Sequence, residues 1–219
     1  MINFPYPLKQ SKKPVVCLAT KNKSKIKDFK LYIDKKYTVK TPNDYPEFHI
    51  DIAEGIHSIA ENALAKARAY AAATDLVSLG DDTGFFIEQL DGEPEVAVRR
   101  WGGELPESTT SEEFWRVLKD KTAHLDKIDC YFEQCIAIAA PNGAYELIYS
   151  KNKGTLNKEK LKMPYNGSNY PLGQAFEAIN RAMTWDEMTD EQKKAFDAPL
   201  IEKINAALDK LCETGFILS

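Results

Sequence analysis

The sequence predicts an α/β fold, and its opening segments carry that prediction. A continuously apolar, β-branched run at residues 15–19 is typical of a buried strand. A polar stretch follows it. Ile26, Phe29 and Ile33 then recur at helical spacing, which predicts an amphipathic helix over about residues 22–36. A strand, a short polar turn and a helix in this order are the beginning of an α/β unit.

The later elements are predicted from apolar runs, helix caps and helical stripes. We expect strands at residues 37–40, 77–80, 85–90, 130–140 and 144–149. Capping boxes and a proline suited to a first helical turn predict helices that begin near Ser58, Thr110, Thr184, Thr189 and Pro199. Residues 81–84 read as a polar turn between two strands. Residues 151–173 are rich in Lys, Asn, Gly and Pro, which predicts loops.

Composition and charge narrow the classes of protein. The chain has 219 residues, 43% hydrophobic and 28% charged, as in an ordinary globular protein. No run approaches the ~20 apolar residues of a membrane-spanning helix, and the net charge of −4 argues against a dedicated nucleic-acid binder. The four cysteines form no C-x-x-C pair, which favours free thiols in a reducing compartment. We therefore expect a cytoplasmic protein without membrane or nucleic-acid partners, with an irregular leader at residues 1–14 and one domain at residues 15–219.

Three polar clusters are candidates for chemistry, and the first lies between the first strand and the first helix. Its residues are Thr20, Lys21, Asn22, Lys23, Ser24 and Lys25. Backbone N–H groups and the positive end of the helix dipole favour phosphate at such a turn. Residues 21–40 hold eight lysines against two aspartates in a chain that is acidic overall. A phosphate cradle and a solvated helix face with an ordinary cap are equally compatible with this pattern.

The second cluster is the pair Asp81 and Asp82, followed by Thr83 and Gly84. Adjacent carboxylates between apolar segments are costly unless they bind something. If they lie in a strand, their side chains point to opposite faces, so one can hold a hard cation while the other polarises a water. The alternative is a solvated turn, since Asp, Thr and Gly are common turn residues. The apolar flanks favour a turn at the mouth of a cleft.

The third cluster combines Glu54 with Asn62 and Lys66. The last two residues are four apart and share one side of a predicted helix, at the edge of its apolar stripe. Polar residues there can line a cleft, although a lysine at such an edge often only extends its ammonium to solvent. Glu54 precedes the helix and can serve simply as a favourable N-terminal charge.

Together the clusters resemble the inosine triphosphate pyrophosphatase family, the noncanonical purine nucleoside triphosphate pyrophosphatases. The family opens with a strand and S/T-x-N-x-x-K-x-x-E, which here reads T-K-N-K-S-K-I-K-D at residues 20–28. The helix motif E-N-A-x-x-K-A stands at residues 61–67, and D-D-S/T-G stands at residues 81–84. A G-x-P at residues 92–94 and Arg100 before an aromatic residue follow in the same order.

The resemblance implies a fold and an activity. It implies an ITPase-like fold, with a mixed central β-sheet flanked by helices and two lobes around a nucleotide cleft. The implied reaction is Mg²⁺-dependent hydrolysis of a nucleoside triphosphate between its α- and β-phosphates, which releases the monophosphate and pyrophosphate. It also implies a homodimer, for which exposed apolar positions around Trp101 or on the hairpin that begins near residue 130 offer a surface.

The resemblance assigns roles to residues of all three clusters. Residues 20–25 correspond to the phosphate cradle, and Lys66 adds a second neutralising charge. Glu54 and Asp82 match the magnesium ligands, and Asp82 also matches the catalytic base, with Asp81 supporting it. Further expected substrate contacts are Thr83, Gly84 and Lys193, with Asn62, Arg100 and Asp197 as additional candidates.

The C-terminal third departs from the family pattern. The base-binding F-G-Y-D-P is absent from residues 166–173, and the S-H-R that follows the matched lysine is replaced by D-A-P at residues 197–199. Because the missing residues read the keto edge of the purine in the family, the base remains open. An acidic Asp197 where Arg is expected either repels a phosphate or accepts a hydrogen bond from an amino group.

Other interpretations stay open. One is a pyrophosphatase for a different modified base. Another is a catalytically reduced relative that binds nucleotides as a sensor or partner module. A third is an unrelated α/β protein whose polar turns only cap helices.

Overall fold

One seven-stranded sheet runs through the described part of the chain, which in this computed structural model comprises residues 13–46, 50, 52, 55, 58–168 and 170–215. The strands are β1 (Val15–Leu18), β2 (Thr38–Lys40), β3 (Val77–Ile87), β4 (Pro94–Glu95), β5 (Asp129–Ala139), β6 (Tyr145–Leu156) and β7 (Phe176–Ala178). Their order across the sheet is β2-β1-β3-β5-β6-β7, and β4 pairs with β3. Strand β1 is parallel to β2 and β3, whereas the other pairings are antiparallel. The sheet is therefore mixed, as expected.

Helices pack around this sheet. They are α1 (Lys23–Tyr32), α2 (Ile59–Thr74), α3 (Ser111–Thr122), α4 (Lys158–Lys162), α5 (Asp190–Phe196) and α6 (Ala198–Gly215). The boxes at Thr110 and Thr189 are formed at the starts of α3 and α5. The box at Thr184 opens only a single 3₁₀ turn, Trp185–Glu187. No helix in the described residues is long and apolar enough to span a bilayer.

Two sequence predictions about strands were wrong. Residues 81–84 are not a turn, because β3 runs through them as one strand and they pair with residues 133–136 of β5. Carboxylates are tolerated in this ladder because partners on neighbouring helices neutralise them. Strand β6 also continues to Leu156, where we expected a loop, because its polar second half completes the pairing along β5.

Two hydrophobic cores share the long strands. Val77 and Leu79 at the start of β3 belong to a core that includes residues of α1 and α6. Phe85 and Ile87 at its end belong to a second core, which includes residues of α3 and β7. Strand β5 divides in the same way between its two ends. The polar residues 81–84 therefore lie where β3 passes from one core to the other, in agreement with a two-lobed arrangement.

Gly80 allows α2 to lie directly on β3. A Cβ atom at this position would stand 2.2 Å from the carbonyl oxygen of Ala63 and 2.6 Å from the backbone nitrogen of Ala67. Residues Asn62 and Lys66 flank these contacts on the same helix. The close approach therefore sets both side chains against the polar segment of β3.

Candidate active site

The loop before α1 is held by its own short polar side chains. The Oδ1 atom of Asn22 caps the helix, accepting from the backbone N–H groups of Ser24 at 2.9 Å and Lys25 at 3.3 Å. The hydroxyl of Thr20 accepts from the Asn22 N–H at 3.2 Å. Lys21 and Lys23 are exposed. The loop thus forms an ordinary helix cap, which does not account for Lys25.

Lys25 turns inward and meets the first carboxylate of β3. Its Nζ lies 2.7 Å from Oδ2 of Asp81, whose side chain is only 1% exposed. The ammonium of Lys66 donates to the backbone carbonyl of the same aspartate at 3.1 Å. A buried carboxylate needs such a partner, since an isolated charge in the interior is strongly unfavourable. The ion pair therefore ties α1 to the middle of β3.

The second carboxylate, Asp82, is held by α2. The amide Nδ2 of Asn62 donates to its Oδ2 at 2.8 Å, and Nζ of Lys66 lies 3.5 Å from its Oδ1. Asn62 also accepts from the Gly55 N–H at 2.8 Å and donates to the Gly55 carbonyl at 2.9 Å. The structure thus brings the second and third sequence clusters together. Glu54, the other expected metal ligand, lies outside the described residues.

Two adjoining cavities open beside these carboxylates. The first, the polar cavity, is lined by Asn22, Lys25, Asn62, Asp82, Thr83 and Arg100, among others. The second, the aromatic cavity, has a volume of about 150 Å³ and shares Asn22, Lys25 and Thr83 with the first. Its apolar wall contains Phe29, Phe132, Tyr170, Phe176, Trp185 and Phe196. The arrangement can hold a molecule that is anionic at one end and planar at the other.

The aromatic cavity also contains two acidic side chains. Burial raises the pKa of Asp28 to about 6 and raises that of Asp197 above its ordinary value. The Tyr32 hydroxyl donates to Oδ2 of Asp197 at 2.5 Å. Lys193 lies near this end of the cavity, with its Nζ 5.1 Å from the ring centroid of Trp185, and its charge favours the ionised form of Asp28.

Gly84 and Trp101 have packing roles near the site. A Cβ on Gly84 would meet the ring of Phe86 at 2.7 Å, so this glycine accommodates packing. Trp101 itself is 1% exposed and its indole N–H donates to Glu93 at 2.7 Å. The dimer surface expected around it or on the hairpin stays a prediction. Sequence reasoning missed the aromatic wall altogether, because its members are scattered along the chain.

The chain belongs to the Ham1 family, whose sequence profile matches residues 16–213. It is 28% identical over 208 residues to a dITP/XTP pyrophosphatase of Nostoc sp., covering 91% of this chain and 98% of that protein. It is 30% identical over 182 residues to a dITP/XTP pyrophosphatase of Streptococcus thermophilus, covering 82% of this chain and 54% of that protein. The chain therefore spans about half the length of the second relative.

A solved structure has the same fold. The HAM1 protein of Coxiella burnetii superposes with a TM-score of 0.70 at 23% identity, covering 90% of this chain and 99% of that one. The ITPase-like α/β fold predicted from the sequence is thereby confirmed.

Proposed function

We propose that this protein hydrolyses noncanonical purine nucleoside triphosphates to the monophosphate and pyrophosphate. The observation that carries the proposal is the pair of carboxylates on β3, each beside a lysine, at the edge of a cleft with an aromatic end. The relatives named above as dITP/XTP pyrophosphatases support the same reaction. The chain is accordingly a hydrolase of phosphoric anhydrides that cleans the nucleotide pool.

The cationic side chains bind the triphosphate. Lys25 and Lys66 line or border the polar cavity and carry the positive charge that phosphate oxygens require. The start of α1 adds the positive end of its helix dipole. Arg100 lines the same cavity and can form paired hydrogen bonds with a phosphate.

The donor set fits Mg²⁺, which takes one or two carboxylates together with phosphate and water oxygens. Asp82 lines the polar cavity and offers such an oxygen, and Asp81 stands next to it on β3. We propose Asp82 and Glu54 as the residues that hold the ion, although the described residues contain no cluster of three or more acidic, His or Cys side chains. When bound, the ion would offset phosphate charge in the transition state.

Asp82 is also the proposed general base. Hydrolysis adds water across the anhydride between the α- and β-phosphates. The water oxygen bonds to the α-phosphorus, and the bond from that phosphorus to the bridging oxygen breaks. The leaving pyrophosphate keeps the electron pair of that bond, and the water proton passes to the Asp82 carboxylate. The hydrogen bond from Asn62 to Oδ2 fixes the orientation of this carboxylate and leaves Oδ1 toward Lys66.

We further propose a cytoplasmic homodimer. The cysteines Cys17, Cys130, Cys135 and Cys212 are all free thiols, which suits a reducing compartment. Tyr145 and Tyr149 on β6 are 45% and 55% exposed and belong to the hairpin expected to form the dimer surface. No nucleic-acid or membrane partner forms part of the proposal.

The test is Mg²⁺-dependent pyrophosphate release from a panel of purine triphosphates. Asp82→Asn should lower kcat by about 10²–10⁴-fold, the usual contribution of a positioned base. Glu191→Gln, which changes an exposed acid on α5, is the matched control and should retain activity. If folded wild-type protein binds nucleotides but turns none over, the catalytically reduced alternative is correct instead.

A further inference from the structure

Trp101 has a backbone conformation that a bulky residue rarely adopts. Its φ is 45° and its ψ is 64°, in the left-handed region, where a large side chain is a genuine outlier. The two glycines that follow it also have positive φ, 64° at Gly102 and 105° at Gly103. Strained backbone of this kind persists only where surrounding contacts impose it, and it is concentrated at functional sites. The turn at Trp101 therefore points to contacts that hold it and to a side chain that it directs.

Contacts of the indole hold Trp101 in this conformation. The ring is 1% exposed and lies against Phe114 of α3, with ring centroids 6.1 Å apart. The indole N–H donates to Oε2 of Glu93 at 2.7 Å. Lys121 of α3 lies 3.5 Å from the same oxygen and 3.0 Å from Oε2 of Glu104, and its Nζ stands 5.4 Å from the indole centroid. Residues 93, 101, 104 and 121 thus form what we call the tryptophan clamp, which fastens both ends of the loop 93–104 to α3.

Arg100 precedes this turn and lines the polar cavity. Its side chain is half-buried, and its guanidinium has no hydrogen bond or ion pair within the described part of the chain. Its carbonyl accepts from the Leu105 N–H at 2.8 Å, which closes the chain around Trp101. A guanidinium is always charged and can pair with two phosphate oxygens at once. Its place in the cleft therefore suits an anion that enters the polar cavity.

Packing in the second core does not by itself account for the turn. Helical or extended backbone can present a large apolar side chain without left-handed strain. Here the turn sends two consecutive side chains to different places, since the indole enters the second core whereas Arg100 lines the polar cavity. An arginine on a loose loop loses conformational freedom when it binds a ligand, and this loss weakens binding. A loop that is fastened beforehand removes part of that cost.

We propose that the tryptophan clamp positions Arg100 for the phosphate groups of the substrate. Trp101, Glu93 and Lys121 are then positioning residues, which act through the guanidinium and do not touch the substrate themselves. The lysines of the proposed phosphate site come from α1 and α2, so the clamp fixes a further cation on a loop attached to α3. This inference rests on the proposed function and adds to it the residues that prepare one side of the phosphate site.

The test is a double-mutant cycle between Glu93 and Arg100, with inosine triphosphate as substrate. Glu93→Ala removes the acceptor of the indole N–H and should lower kcat/KM by about 10- to 100-fold, the effect of a misplaced binding group. In the Arg100→Ala background the same change should alter kcat/KM by no more than about twofold, because no guanidinium is left to position. An equal loss in both backgrounds overturns the proposal, since Glu93 then acts independently of Arg100.

Conservative variants separate positioning from general stability. Glu93→Gln keeps an acceptor for the indole N–H and should retain most of the activity, whereas Trp101→Phe keeps a ring without that donor and should reproduce the loss. Glu107→Ala removes an exposed acid just beyond the loop and is the matched control, which should leave kcat/KM unchanged in both backgrounds. If Trp101→Phe is folded and fully active, the indole contact does not position Arg100.

Binding of inorganic triphosphate distinguishes failure of this inference from failure of the proposed function. Calorimetry on folded protein needs no turnover. Wild-type protein should bind inorganic triphosphate about tenfold or more tightly than Glu93→Ala does, and the difference should vanish in the Arg100→Ala background. If this pattern is found but no nucleotide is turned over, the proposed function is refuted and the positioning role stands. If nucleotides are turned over but wild type and Glu93→Ala bind equally, the positioning role is refuted instead.

Discussion

The contact between α2 and β3 at Gly80 should control both stability and turnover. A Cβ at this position would stand 2.2 Å from the Ala63 carbonyl oxygen, whereas ordinary contacts begin near 3.4 Å. The two nearest atoms, the Ala63 carbonyl oxygen and the Ala67 nitrogen, belong to the backbone and cannot rotate away. Gly80→Ala must therefore push the helix off the strand by roughly 1 Å. Such overpacking costs about 1–3 kcal/mol of the free energy of unfolding.

The same displacement should disturb the active site. The hydrogen bond from Asn62 to Asp82 is 2.8 Å long, and a shift of roughly 1 Å takes it beyond hydrogen-bonding range. Lys66 moves with the same helix and loses its contact with the carbonyl of Asp81. Misplacement on this scale can reduce turnover by about 10²-fold.

The assay measures kcat for pyrophosphate release together with the unfolding midpoint. The matched control is Gly143→Ala, where the backbone has φ of 92° and, its two chain neighbours apart, no atom of the described residues lies within 4 Å of an added Cβ. That variant should lose about 1–2 kcal/mol of stability through left-handed strain and keep its kcat. If Gly80→Ala also keeps kcat within about twofold while losing stability, the α2–β3 contact does not position the catalytic groups.

Two further predictions concern stability. Burial raises the pKa of Asp28 from 3.8 to about 6. The folded state therefore binds the carboxyl proton more tightly than the unfolded state does. The free energy of unfolding should fall as pH rises from about 4 to about 6, because the folded state must then give up that proton. Asp28→Asn should therefore gain about 2–3 kcal/mol on the wild type between about pH 4 and 7 in urea unfolding; a pH-independent difference would contradict this. Leu208 is fully buried in the first core. Leu208→Ala should therefore lower the free energy of unfolding by about 3 kcal/mol and leave KM unchanged. A raised KM would show that packing in this core affects the cleft.

Local sequence patterns predicted the elements of this fold well. Each signal lies within a single element: the apolar run of β1, the caps of α2 and α3, and the stripe of α6. The continuity of β3 through Asp81 and Asp82 was not predictable in this way. Carboxylates disfavour strands unless distant partners neutralise them, and here the partners, Lys25 and Lys66, come from two separate helices.

The two ends of the candidate site also differ in how far local sequence patterns predict them. Polar motifs indicated the proposed phosphate end, because its residues cluster within short segments. The aromatic end combines Phe29, Phe132, Trp185 and Phe196 from well-separated parts of the chain, and each alone resembles an ordinary core residue.

The ion pairs of the candidate site neutralise its two carboxylates before a substrate binds. Lys25 holds Asp81 at 2.7 Å, and Lys66 lies 3.5 Å from Asp82, so two carboxylates in the middle of a sheet carry little uncompensated charge. A triphosphate brings about four negative charges and competes for both ammonium groups. A carboxylate whose lysine turns to phosphate then needs another cation, which is the role proposed for Mg²⁺. Substrate and metal are therefore expected to bind with positive coupling, because each satisfies the charge that the other releases.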